Sequence, residues 1–152
     1  MRNTRSERGS TMIELACVAF FIILAALMAL DCAVCLFGAS SNSLACRDAV
    51  RIAAQQSTAE RAKSAAIASL KQYSHTSLNI TPPTLSSADN DFIYELYLDG
   101  DGKPQVDQGP YVKVTTSSTV TLPVPLKIFN IGMDDKINLK QSFTFPIIKL
   151  PD

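Results

Sequence analysis

The sequence predicts an α+β chain. A long N-terminal helix spans a membrane and then continues outside it, and a second short helix packs on a small antiparallel β-sheet. Three observations predict this. Leu15 to Leu30 form an uncharged apolar run. Two alanine-rich segments with helical spacing follow it, up to about Tyr73. From Thr76 the pattern changes to period two and is rich in β-branched and aromatic residues.

The chain opens on a basic leader: Arg2, Arg5 and Arg8 precede Gly9. Glu14 stands immediately before the apolar run. A carboxylate carried to the bilayer centre costs roughly 2.5–3.5 kcal/mol, so a plain anchor gains nothing from an acid here. Leu15 to Leu30 is 16 residues, or ~24 Å of helix, short for a ~30 Å hydrocarbon core. Extending the run to Gly38 makes it long enough but places Asp31 within it. Asp31 therefore lies at the outer interface or faces a protein partner. The run ends in MALDCAVC, with no small-x-small cleavage site. Arginines before the run and none just after it keep the N-terminus in the cytoplasm and send the rest outside.

Past the membrane, NSLACRDAVRIAAQQ (42–56) continues the helix, with Leu44, Val50, Ala53 and Ala54 on or near one face. One helix is expected from about Thr11 to Gln56. Ser57 and Glu60 have capping-box spacing and start a second helix. Its stripe is Ala62, Ala66, Leu70 and Tyr73, and His75 closes it. Strands are expected in LNIT, FIYELYL, YVKVTTSSTVTL and SFTFPIIKL, with Thr81 to Asn90 as a loop. Pro123 and Pro125 end the third strand or put its end on an edge, and Pro146 does the same for the last. The expected organisation is residues 1–9 leader, 10–38 transmembrane helix, 39–56 its continuation, and 57–152 an α+β domain.

The 152 residues carry 14 basic and 14 acidic side chains. That balance gives no reason to expect nucleic-acid binding. Removing the first nine residues takes away three arginines and Glu7, leaving 11 basic and 13 acidic residues. Four cysteines (Cys17, Cys32, Cys35 and Cys46) lie on or just beyond the membrane helix. On a continuous helix Cys35 and Cys46 are ~16 Å apart, against a Cα separation below ~7 Å for a disulfide. Cys32 and Cys35 have the spacing of a redox or metal pair but no further partners. These cysteines read as small packing residues, with an intermolecular bridge as the alternative. Asp99-Gly-Asp-Gly fails as a calcium loop, because the twelfth position is Pro110 and the fifth Lys103; it reads as a hairpin turn. His75 is the only histidine. No phosphate loop, Gly-x-Ser-x-Gly or acid–base carboxylate pair occurs, so neither an enzyme nor a cofactor is expected.

The start of the chain resembles the type IV pilin superfamily. Gly9, the apolar segment, and Glu14 at the fifth position after the glycine carry the resemblance. The order RGSTMIELACVAFFIILAALMAL, SLACRDAVRIAAQQ and VTTSSTVTLPVPL sharpens it to the TadE-like minor pilins or pseudopilins of tight-adherence (Flp) pilus systems. The resemblance implies cleavage by a prepilin peptidase between Gly9 and Ser10. It implies that Glu14 pairs with the new amine of a neighbouring subunit and so sets register. Its implied partners are that peptidase, other minor and major pilins, and an inner-membrane assembly platform. It implies a single-pass inner-membrane protein with a periplasmic sheet domain, acting in pilus initiation and adherence. Departures are Ser10 as the first mature residue, Asp31, and the membrane-proximal cysteines. Two other readings share the same start: a type II secretion pseudopilin, and an uncleaved membrane-anchored binding module.

Overall fold

The computed structural model describes residues 4–73, 79–86, 91–97, 109–124 and 135–147. His75, Asp99-Gly-Asp-Gly and Pro125 lie outside the described residues.

Helix α1 runs unbroken over Thr4–Ala53. Its 50 residues make a rod of about 75 Å. The first proline of the chain is Pro82, so nothing before it removes a ladder hydrogen bond. The helix tightens as it ends: Gln55 N–H donates to Ile52 O at 3.3 Å and Gln56 N–H to Ala53 O at 3.1 Å, the short-reach pattern of a closing turn.

Helix α2 covers Ala59–Gln72. Its N-cap is Thr58, whose hydroxyl accepts from Arg61 N at 3.4 Å. This corrects the expectation of Ser57. Both residues offer an acceptor hydroxyl before the same alanine-rich run, and spacing to Glu60 alone does not choose between them. Glu60 in the first turn and Lys71 in the last complement the helix dipole. Ala62, Ala66, Ser69 and Leu70 are buried. They lie chiefly along α1, and α2 only touches the sheet at its edge strands.

The sheet has four strands: β1 Thr84–Leu85, β2 Phe92–Glu95, β3 Tyr111–Thr121 and β4 Lys136–Pro146. β3 is central. β4 pairs with it antiparallel along all of its length, from Tyr111 opposite Pro146 to Thr121 opposite Lys136. Its other side meets β2, β1 and a single bridge from Ile80 to Val120, in succession and all antiparallel. Three expectations change here. Of LNIT, the described residues 79–81 contribute one bridge, at Ile80, rather than a strand. Thr84–Leu85, expected in a loop, pairs with Ser117 and Thr116. β4 begins six residues before Ser142, because Ile137 and Leu139 continue its alternation toward α1. β3 ends at Thr121, just before Pro123, and β4 ends at Pro146 on an edge of the described sheet.

β3 shows why its sequence, poor in large apolar residues, still makes a central strand. Val112, Val114, Thr116, Ser118 and Val120 alternate toward α1 and are buried. Ala45, Cys46, Ala49, Val50 and Ala53 of α1 meet them, with Ala62, Ala66 and Leu70 of α2. Phe92, Tyr94, Phe143 and Phe145 close the core at its sides. Small side chains on α1 let the helix approach the sheet closely. Leu44, expected on the buried face, is exposed instead. The face that docks is defined by the small residues, and Leu44 lies off it.

Candidate functional site

Two regions of α1 hold Gly9, Ser10, Glu14, Asp31 and the four cysteines: its apolar N-terminal part, and its junction with the sheet. Gly9 and Ser10 fall within α1. Glu14 is exposed on the helix surface. Ten large apolar side chains between Met12 and Leu30 are 49–77 % exposed, while Leu24 and Leu27 are half-buried. An exposed apolar surface of this size is the kind that lipid or other apolar helices cover. One helix in the described residues is long and apolar enough to cross a membrane.

The junction begins at Asp31. This residue is half-buried, and its Oδ1 accepts the Val124 N–H at 3.2 Å. The turn after β3 is thereby clasped to the helix where the apolar run ends, so the acid has a partner within its own chain. At Gly38 the sheet meets the helix backbone. A Cβ there would lie 2.5 Å from Val120 Cγ2, with Leu139 and Ile80 next nearest. One turn on, the Asn42 amide donates from Nδ2 to Leu139 O at 2.9 Å and accepts at Oδ1 from Thr116 Oγ1 at 2.8 Å. Asn42 is 1 % exposed. A buried amide is tolerated only when both ends are satisfied, and this one joins α1 to both β3 and β4.

Next along the helix, Cys46 Sγ donates toward Val114 O at 3.3 Å and Gln141 O at 3.5 Å. Burial pushes its thiol above the ordinary cysteine range, more strongly than its hydrogen bonds lower it. The Arg47 guanidinium sits over the Phe143 ring, 4.8 Å from its centroid. Beyond it, the Tyr73 hydroxyl of α2 donates to Asp48 Oδ2. That hydrogen bond, with lesser help from burial and the carboxylate charge, pushes the phenol above its usual range. Tyr94 Oη donates to Gln56 O at 3.0 Å and ties β2 to the end of α1.

Asp31, Gly38, Asn42, Cys46 and Ala49 thus form one stripe, reading outward from the apolar run. Asn42 and Gly38 are the junction residues that sequence reasoning missed. Their signal was a small or polar residue at every third or fourth place from Asp31 to Ala53, which a search for large apolar residues passes over. The four cysteines are free thiols; Cys17 and Cys32 are exposed, Cys35 is half-buried and Cys46 buried. Packing describes Cys46, which has no aligned partner cysteine on the rod. Among the described residues no three metal-ligating side chains gather.

No protein-family model matches the chain, and no curated protein or solved structure matches it either.

Proposed function

We propose that this chain is a TadE-like minor pilin of a tight-adherence pilus. In this reading it is cleaved between Gly9 and Ser10, held in the inner membrane by a helix within residues 10–38, and displays its sheet domain in the periplasm. The observation that carries the reading is the division of α1. One unbroken helix carries a largely exposed apolar run that Glu14 precedes, and is welded to a small sheet from Asp31 outward. A subunit of this shape can leave lipid by sliding its apolar run among the helices of other subunits, while the welded part carries the sheet along without a hinge. Glu14 then docks against the Ser10 amine of a neighbouring mature subunit. In a lipid or protein surrounding, each of these charges needs the other, so the pair fixes the register between neighbours. The peptidase, partner pilins and an inner-membrane assembly platform are the partners in this scheme, and initiation of the filament is its role.

Glu14→Ala tests the docking step. The variant should insert and be processed normally, yet fail to co-purify with partner pilins or support filaments, and Glu14→Asp should restore part of the loss. Normal filaments with Glu14→Ala would remove the register role and favour the uncleaved anchored module.

A further inference from the structure

We infer that Leu36 and Phe37 are seated in the headgroup layer of the outer leaflet, so that the sheet stands directly on the bilayer instead of being held clear of it. The inference rests on the anchoring part of the reading above and not on cleavage.

Glu14 and Asp31 are the only ionisable acids or bases from residue 9 to residue 46, apart from thiols. If Glu14 marks the inner boundary, ~20 helical residues fill the ~30 Å hydrocarbon core, and the outer boundary falls near Val34. Leu36 and Phe37 lie just past it. They are 72 % and 62 % exposed, off the side of α1 on which Gly38 meets the sheet. Two and three residues beyond Val34 is about 3–5 Å along the axis, within a headgroup layer of about 5–7 Å on each side. Lipid is therefore in reach of these two side chains, whereas Leu44 stands about 15 Å beyond the boundary.

The sheet side agrees. Asp31 falls at the edge of the hydrocarbon, and its carboxyl is turned toward the Val124 N–H and away from lipid. Leu122 N–H donates to Asp135 O at 2.9 Å, closing the same end of the sheet. Exposed Lys136, opposite Thr121, stands at that end and can meet lipid phosphates. Between Asp31 and Gly38 there is no loop, only continuous helix, so the sheet cannot rise off the surface. Helical side chains point back toward the N-terminus, which brings Leu36 and Phe37 closer to lipid.

The chain has no tryptophan, so one introduced tryptophan reports its own depth. Full-length Phe21→Trp, Phe37→Trp and Leu44→Trp would be placed in phosphatidylcholine vesicles containing lipids brominated either near the headgroup end of the acyl chain or deep in it. Phe37→Trp should be quenched several-fold more by the shallow bromines than Leu44→Trp, which acrylamide in the water should quench instead. A Phe37→Trp that behaves like Leu44→Trp, or that neither lipid nor acrylamide reaches, would overturn the inference; the second result would mean that protein covers the site. Phe21→Trp should be quenched by the deep bromines. Its failure would remove the anchoring reading itself, and the inference with it.

Discussion

Gly38 shows how little of a junction a single residue announces. In the sequence it reads as a small residue at the end of an apolar run. In the fold it is the place where the helix backbone meets Val120, a stiff β-branched side chain that is fully buried. Gly38→Ala gains up to about 1 kcal/mol of helix propensity, and overpacking a dense contact costs about 1–3 kcal/mol. The Cβ distance of 2.5 Å makes the second effect larger. Thermal unfolding in detergent should show Gly38→Ala less stable than the parent; an increase would mean that Val120 moves aside freely. Cys46 was legible as a packing residue, but its two carbonyl acceptors were not, since they come from strands about 70 and 95 positions away. Thiolate is the reactive form, so a thiol with a raised pKa stays largely protonated at pH 8. With Cys17, Cys32 and Cys35 changed to serine, Cys46 should resist maleimide in the folded protein and react fully in denaturant. Rapid labelling of the folded protein would show that the junction opens.

At the scale of elements, the helices were clear in the sequence and the sheet was clear only in part. An apolar run without proline dictates a helix whatever surrounds it. Ile80, Thr84 and Leu85 are different: each pairs for one or two residues with β3, and such short pairings leave no period to read. Leu44 misled for the opposite reason. Its size suggested burial, but the docking face of α1 is selected by how closely the helix can approach, which favours Gly38, Ala45 and Ala49. The attachment of α2 to α1 carries its own pH dependence. Asp48 holds the Tyr73 proton, so the neutral phenol binds its proton more tightly in the folded state than in the unfolded one. The stabilisation is therefore fully present below the ordinary tyrosine pKa of about 10 and is lost as pH rises through the higher folded-state value. The stability gap between the parent and Tyr73→Phe should stay level from neutral pH to about 9 and shrink above about 10. A gap that widened in alkali would contradict the assignment.

For the whole molecule, the governing fact is that one rod carries two kinds of surface. From residue 11 to residue 30 the rod is mostly exposed and apolar, with Leu24 and Leu27 half-buried, and from Asp31 outward the same helix is buried under the sheet step by step through Gly38, Asn42, Cys46 and Ala49. The first half was legible from hydropathy alone. The second half was not, because the Asn42 amide, the Asp31 clasp and the Gly38 contact all depend on strands that begin far along the chain. A rigid rod with no hinge between lipid and domain suits a subunit that must be drawn whole from the bilayer into a filament. In the proposed reading, cleavage after Gly9 supplies the free amine with which Glu14 of a neighbouring subunit pairs. The most direct measurement is therefore the intact mass and N-terminal sequence of the protein from membranes of a host with a prepilin peptidase, and of the same host without it. The account predicts a chain beginning at Ser10 in the first and at Met1 in the second. A chain beginning at Met1 in both would contradict it.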